Sequence, residues 1–386
     1  MRKEQDKLKP SFAPAPTEGV GIYVHVPFCA RICEYCKFYK TFPSISDISF
    51  YLETLAAEAR ALFEKYPDFR AQSIFFGGGT PTSLSIQNLP ILCKNFEKFA
   101  GKTEWTVEAA PSTITPQKLK ALKDAGANRL SLGVQSFSEK TLRALGRPHP
   151  TNAALKALDA ALEVFENVNI DLIFGADGQT LSEWEADLSK AASYPVKHIS
   201  AYCLEFESGT GVCAGNAKAL PRQISETKFL RLAIAFLESR GFRHYEISNY
   251  AKAGYECAHN LNTWQMGEWV GLGPAAASQF GGLRRKNPLS LPLWKKNVES
   301  GWELSEDKVV LDDQEMLLSS IIFGLRMTDG VDIGLQKKRF PKADFSIYES
   351  TAKRLRESGL LELKNGKIRL TKKGIPLADS IALSFV

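Results

Sequence analysis

The stretch IYVHVPFCARICEYCKFY, residues 22–39, joins an alternating apolar run to three cysteines at the spacing C-x3-C-x2-C. The run 22–26 has the two-residue period of a strand, so Cys29, Cys33 and Cys36 fall in the loop at that strand's carboxyl end. Three such cysteines can be buried packing residues, or zinc ligands completed by His25 or another group. Zinc sites, however, usually pair C-x2-C knuckles on hairpins, whereas a loop that wraps three thiolates around one corner of a cube suits a [4Fe-4S] cluster. Three ligands for four irons leave one iron open to a substrate-like molecule, as an open metal position is in catalytic sites generally. The loop aromatics Phe28, Tyr35, Phe38 and Tyr39 either shield that cluster or simply pack the loop onto the body of the fold.

Outward from this loop further short apolar runs recur: SIFF (73–76), WTVEA (105–109), RLSLGV (129–134), NIDLIFG (169–175) and HISAYCL (198–204). Amphipathic segments with legible ends separate them. Thr115-Pro116 supplies an N-cap and an N1 proline with Gly126 as the stop, and Ser138 and Thr180 are placed to cap two further helices. Six strands alternating with helices predict an α/β fold with right-handed crossovers and a parallel sheet, either an open, partial (β/α)6 barrel or a doubly wound sheet. In both, ligands collect at the carboxyl ends of the strands.

The chain divides by composition. Residues 1–19, ending in PSFAPAPTEG, cannot bury much and read as a mobile tail; 20–250 form the core barrel. Residues 251–310, with YECAHNLNTW and the glycine-rich GLGPAAASQFGG, read as long connecting loops of functional type. Residues 311–386 hold helix patterns at 313–327 and 345–358 and a hairpin signal at Asn365-Gly366, which together suggest a winged-helix-like domain. Lacking a basic recognition helix, that domain reads as a scaffold or lid rather than a nucleic-acid reader. Lys and Arg number 49 against 43 Asp and Glu, a net charge of +6 spread over 386 residues, which suits an anionic small ligand better than DNA. Seven cysteines without a secretory signal point to a reducing, cytoplasmic setting. The longest apolar stretch, Met316 to Leu325, falls far short of the roughly 20 residues needed to span a bilayer.

Phe76-Gly77-Gly78-Gly79-Thr80-Pro81-Thr82 follows the second strand, where glycines let backbone approach a ligand, although a tight βα turn explains such a run as well. Glu108, in the third strand, is costly among apolar residues unless it meets a cation or a pair of hydroxyls. Gln135, Arg147 and Asp171 end or follow later strands, where a partial barrel converges on its ligand; Arg147 is otherwise a surface cation.

The cysteine loop after a first strand, with this glycine run after the second, resembles the radical S-adenosylmethionine enzymes, over about residues 20–290 and beyond. The resemblance implies that the open iron is chelated by the amine and carboxylate of S-adenosylmethionine, and that one electron from the reduced cluster cleaves the sulfonium to give a 5′-deoxyadenosyl radical. It further implies that Gly78, Gly79 and Thr80 serve the methionine amino group, that Glu108 contacts ribose or amine, and that Gln135, Arg147, Asp171, Tyr23 and Tyr35 contact the cofactor.

The phrases IYVHVPFC, FFGGGTPTSL, NRLSLGVQSF, LRALGRPH, NIDLIFG, HISAYCLEFESGT and YEISNYAKAGYECAHNLNTW resemble the HemN/HemW lineage of oxygen-independent coproporphyrinogen III oxidases and haem chaperones. The oxidase form carries a further cysteine two residues after the third and a long N-terminal extension. Phe38 stands at the first of these positions and about 20 residues precede the first strand, so the chaperone branch is the better match. That branch has a haem motif His-Asn-x-x-Tyr-Trp, matched by His259, Asn260 and Trp264 with Thr263 in the tyrosine's place. Imidazole is a natural axial ligand of haem iron and indole can stack on a porphyrin, so the resemblance makes His259 and Trp264 candidate haem contacts. Arg284, Arg285 and Lys286 can pair with propionates or be a solvated basic loop. Cys257 can meet haem through sulfur or be a buried thiol, and Cys93, Cys203 and Cys213 read as packing residues. The expected partners are haem or a porphyrin, an electron-donor protein and a haem-acceptor protein, which includes a membrane protein met transiently; the sequence leaves the oligomeric state open, a dimer included, and nucleic acid is not expected.

Overall fold

A computed structural model of the protein describes residues 19–33, 35–147, 151–204 and 219–386. The expectations for the tail, for Cys213 and for the LEFESGT phrase beyond Leu204 lie outside those residues. The elements, in chain order, are β1 (Val20–Val26), α1 (Ile45–Lys65), β2 (Ala71–Gly78), α2 (Asn88–Lys94), β3 (Glu104–Ala109), α3 (Pro116–Asp124), β4 (Arg129–Gln135), α4 (Glu139–Ala144), α5 (Thr151–Val164), β5 (Asn167–Phe174), α6 (Leu181–Ala192), β6 (His198–Cys203) and α7 (Ala219–Ser239). There follow β7 (Arg243–Glu246), β8 (Asn249–Ala251), α8 (Ala258–Trp264), β9 (Trp269–Leu272), β10 (Ala277–Phe280), β11 (Leu283–Lys286), α9 (Leu291–Glu299) and β12 (Glu306–Val310). The chain closes with α10 (Asp313–Gly324), β13 (Val331–Asp332), α11 (Ile333–Arg339), α12 (Ser346–Glu357), β14 (Leu361–Lys364), β15 (Lys367–Leu370) and α13 (Ala378–Leu383).

Strands β1 to β6 run parallel in sequence order, the open (β/α)6 barrel that the alternation of strands and helices implies. Their two-residue period sorts side chains by face. Ile22, Val24, Ile74, Phe76, Trp105, Val107, Leu130, Leu132, Val168 and Ile170 are fully buried in the main core, beneath the helices. The alternate positions carry Tyr23, His25, Ser73, Glu104, Thr106, Glu108, Arg129, Ser131, Asn169, Asp171, His198 and Ser200, so the inner face is polar. Thr115 caps α3 through Lys118 N, Ser138 caps α4, and Thr180 forms a capping box with Glu183 on α6, each worth about 1 kcal/mol.

The sheet is wider than the six-strand pattern implies. β9 lies parallel to β1 and leads antiparallel into β10, β11 and β12, while β8 and β7 extend the other edge antiparallel to β6. The 251–310 segment, read as loops, therefore holds α8, α9 and four strands. Those strands are four or five residues long, too short for periodicity to register. Both edges of the parallel sheet, which would otherwise expose a ladder of unpaired backbone groups, are covered in this way.

Glu58 of α1, wholly buried, fastens this extension to the barrel. It accepts hydrogen bonds from Gly273 N (2.8 Å), Asn287 Nδ2 (2.8 Å), Trp294 Nε1 (3.0 Å) and Trp302 Nε1 (3.2 Å). Burial pushes its pKa up and these donors pull it back.

Beyond Leu311 a second core gathers Leu317, Ile321, Phe340, Leu355 and Leu361 under α10, α12 and a three-stranded sheet of order β13-β15-β14. Asn365 (φ 51°) and Gly366 (φ 76°) form the tight β14–β15 hairpin, a winged-helix-like arrangement. This unit grips the end of α8: buried Arg339 donates to Gln265 O (3.1 Å) and Met266 O (2.9 Å). No helix among the described residues is long and apolar enough to cross a membrane.

Candidate functional site

The loop after β1 is held at both sides. Cys29 N donates to Thr41 O (3.0 Å) and Thr41 N to Pro27 O (2.7 Å), while Cys36 N donates to Cys33 O (3.2 Å). Cys29 and Cys33 are buried and Cys36 half-buried, with Thr80 Oγ1 3.7 Å from Cys29 Sγ and Arg147 Nε 3.2 Å from Cys33 Sγ. Among the described residues no group of three or more His, Cys, Asp or Glu side chains stands assembled around one metal position. A cuboidal cluster takes each thiolate on a different iron, so three cysteines spread around one loop fit it.

The glycine run works as a cradle. A Cβ at Gly79 would stand 2.6 Å from Val26 O and 2.7 Å from Phe28 O, and Gly78 has a φ of +99° with a would-be Cβ 2.4 Å from the His25 ring. Without side chains there, Gly79 N and Thr80 N bond to Val26 O and Phe28 O (both 2.8 Å) and bring the second loop against the first.

Deeper on the inner face lie two buried carboxyls. Burial lifts the pKa of Glu108 to about 8, helped by nearby Asp171 and opposed by the Gly78 N–H and Arg129. Asp171 is also raised by burial, although Ser131 Oγ (3.0 Å) and Asn169 Nδ2 (2.8 Å) donate to it. Two such carboxyls, with Arg129 as the one cation beside both among the described residues, would be relieved by a cationic ligand, and S-adenosylmethionine brings both an ammonium and a sulfonium. Gln135 adopts a φ of 68°, and a Cβ at Gly133 would stand 2.7 Å from its Nε2, so this glycine makes room for it. The Tyr35 hydroxyl is buried beside Cys33 and Arg147, with no close hydrogen bond among the described residues. The residues present thus fit a cluster and its methionine cofactor. The structure brings together here Tyr23, Tyr35, Gly78, Gly79, Thr80, Glu108, Gln135, Arg147 and Asp171 at or below the carboxyl ends of β1 to β5 and the loops that follow.

His259 and Trp264 lie elsewhere. α8 stops the amino end of the barrel, and His259 Nδ1 is 2.9 Å from Ser73 Oγ near the start of β2. Glu104, first residue of β3, accepts from Ala258 N (3.0 Å), His259 N (3.4 Å) and Cys257 Sγ (3.5 Å), a carboxylate at the start of a short helix. Arg129 is fully buried close to Glu104, Asp171 and Cys257. His259 is 9% exposed, its pKa is lowered to about 4 by burial, and a Cβ at Gly21 would already stand 3.4 Å from its ring. In this arrangement the ring has no open face for a porphyrin. Trp264 stacks on Phe323 (5.9 Å between centroids) with Arg326 over its ring at 5.0 Å, beside a cavity of about 270 Å³ also lined by Ala378, Asp379 and Ala382.

A column of rings links the two ends. His25 Nε2 donates to Tyr39 O (2.8 Å) in the cluster loop, Tyr23 donates to His25 Nδ1 (3.1 Å), and the Tyr23 ring lies 6.3 Å from that of His259. Sequence reasoning missed the floor of the barrel: Ser73, Glu104, Arg129, and the chain from Asn169 Oδ1 through His198 (2.7 Å) to the Tyr245 hydroxyl (2.8 Å). The signal was available in the polar residue at every second place of WTVEA and RLSLGV. Arg284 and Arg285 are strand residues engaged by the protein, Arg284 with Gln279 (2.6 Å) and Ser319 (3.2 Å), Arg285 with Ser305 (3.2 Å). Cys93 and Cys257 are buried thiols, each pushed up to about 12.

Comparison with known proteins agrees with this geometry. Residues 23–191 match the radical SAM superfamily and residues 311–377 the HemN C-terminal domain. The chain is 33% identical over 372 residues to haem chaperone HemW of Bacillus subtilis, covering 94% of this chain and 98% of that protein. It is 31% identical over 408 residues to the mitochondrial radical S-adenosyl methionine domain-containing protein 1 of Bos taurus, covering 100% and 91%. The crystal fold of Escherichia coli coproporphyrinogen III oxidase (HemN) superposes with a TM-score of 0.82 at 23% identity, covering 100% of this chain and 93% of that one.

Proposed function

Because the chain belongs to the HemW family within the radical SAM superfamily, we propose that it is a haem chaperone, holding a [4Fe-4S] cluster and S-adenosylmethionine at one end of its barrel and passing haem to an acceptor protein. The observation that carries this reading is the 33% identity to a haem chaperone over 372 residues, covering 94% of this chain and 98% of that protein. Phe38, 61% exposed, supports it, since the oxidase form has a cysteine there.

Cys29, Cys33 and Cys36 hold the cluster, which with its bound cofactor supplies a one-electron route to sulfonium cleavage. Gly78, Gly79 and Thr80 would bring backbone to the methionine end; Glu108, with Asp171 beside it, would accept from the amine or the ribose hydroxyls; Tyr23, Tyr35, Gln135 and Arg147 would wall the pocket. Haem is cargo. Ligation by His259, with Trp264 against the porphyrin, requires α8 to draw away from Ser73 and Glu104, an opening that the acceptor or the cofactor would favour by binding the open form. The reading calls for a haem-acceptor protein, a membrane protein met transiently included, and for an electron-donor protein that reduces the cluster.

The test is a haem titration of the purified, anaerobically reconstituted chain followed at the Soret band, on wild type and His259→Ala. One haem per wild-type chain and a lost or shifted band in the variant are expected. An unchanged band in the variant would remove His259 from the reading and leave haem carriage standing. Conversion of coproporphyrinogen III to protoporphyrinogen IX by the same sample, without haem uptake, would replace the chaperone by the oxidase.

A further inference from the structure

The helix α4 ends in a turn that aims one cation at the cluster loop. Gly146 has a φ of +65°, and Arg147 N closes back on Leu142 O (2.8 Å), a C-terminal cap that only the left-handed glycine permits without strain. The side chain of Arg147 then crosses to the loop after β1. Its Nε–H meets Cys33 Sγ at 3.2 Å, its Nη1 lies 3.4 Å from Gly133 O, and its guanidinium sits 5.9 Å from the centre of the Tyr35 ring. Family resemblance makes this arginine a cofactor contact, but its closest polar neighbour is a cluster-ligand sulfur.

We propose that Arg147 is a positioning residue for the cluster itself, donating an N–H···S hydrogen bond to the Cys33 ligand and thereby raising the cluster's reduction potential. A thiolate bound to one iron keeps lone pairs that accept such a bond, and hydrogen bonds to ligand sulfurs are among the determinants of cluster potential. A reduced cluster carries one more negative charge, so a fixed cation in this buried pocket favours reduction. The low local dielectric strengthens the effect. The fork has its Nε–H committed to sulfur and one Nη near Gly133 O, and its other Nη makes no hydrogen bond among the described residues, so a cofactor carboxylate can meet the same side chain. The two roles are compatible.

The inference rests on the cluster reading and not on haem carriage. It is tested on the full chain, reconstituted anaerobically without S-adenosylmethionine, by an EPR-monitored redox titration of wild type, Arg147→Met and Arg147→Lys. Arg147→Met should shift the reduced-to-oxidised ratio about tenfold toward oxidised at a given potential, ~59 mV lower for one electron. Arg147→Lys keeps the charge but loses the directed Nε–H, and should shift the same way by less. It decides the matter if the methionine variant does not fold or load. Loaded variants with the wild-type potential would overturn the inference alone. A wild-type chain that takes up no iron or sulfide would overturn the cluster reading and the inference together.

Discussion

The carboxyl end of the barrel carries Cys29, Cys33 and Cys36 in a loop whose Ile32, Phe38 and Phe42 are 41%, 61% and 60% exposed. The amino end is stopped by α8, where Glu104, Ser73, Arg129 and His259 are closed in on one another. Both ends are made by the same six strands. Glycines and an irregular loop leave space at one, and polar side chains at alternate strand positions fill the other. Chemistry needs space and a way in; a support needs most of its buried polar groups paired, and at this floor Arg129 Nε is among the few without a hydrogen bond among the described residues. That α8 carries His259 and Trp264 on the filled side places the proposed haem contacts and the cofactor pocket at opposite ends of one barrel, joined by the Tyr39-His25-Tyr23-His259 column.

The largest effect separating the two ends is loss of the cluster. Cys36→Ser should bring iron and sulfide in the reconstituted protein to background while its thermal unfolding stays near wild type, because Cys36 is a half-buried loop residue. A collapse of stability together with the cluster would mean that the mouth is also a structural keystone. At the floor the expectation reverses. Glu104→Ala leaves the Ala258 and His259 amides without their acceptor and Arg129 with one neighbouring anion fewer, costing about 3 kcal/mol in urea unfolding with cluster content retained. A loss under about 1 kcal/mol would show that α8 is not held by this carboxylate.

Acid should act on the buried histidines. Burial holds His25, His244 and His259 at about 4, whereas the unfolded chain titrates near 6.5. Their contribution to stability is complete above about pH 6.5 and is lost as pH falls toward 4, because the unfolded chain takes up the protons first. Glu108 and Asp187, lifted to about 8 and about 6, act the other way, their folded forms binding protons first. Each histidine can add a slope of up to about 1.4 kcal/mol per pH unit between those limits. His259→Gln should therefore flatten the acid limb of unfolding free energy against pH; an unaltered slope would mean that the ring is open to water. The smallest effect belongs at the mouth again: Phe38→Ser should change unfolding free energy by no more than about 0.5 kcal/mol. A larger loss would mean that this ring packs.

Much of the mouth was legible in the sequence because its signals are local. The C-x3-C-x2-C spacing, the glycine run and the helix caps at Thr115, Ser138 and Thr180 each fit within a few residues, and the six strand runs gave the barrel. The floor was not legible in the same way. Glu104 meets residues over 150 positions away, and Glu58 meets Trp302, so neither partner is marked by spacing. β9 to β12 were missed for being short, and His259 was read as a loop residue because nothing in AHNLNTW tells a seven-residue helix from a turn. Arg147 was found as a cofactor contact, but its bond to Cys33 depends on the turn at Gly146 and on a contact across 114 residues.

One measurement bears most directly on a chaperone that keeps its cluster and its cargo at opposite ends. The wild-type chain, reconstituted anaerobically, is titrated with haem, and iron, sulfide and the Soret band are quantified in the same sample. The account predicts saturation at one haem per chain with the cluster fully retained. Failure of the Soret band to saturate, or displacement of the cluster as haem binds, would contradict it.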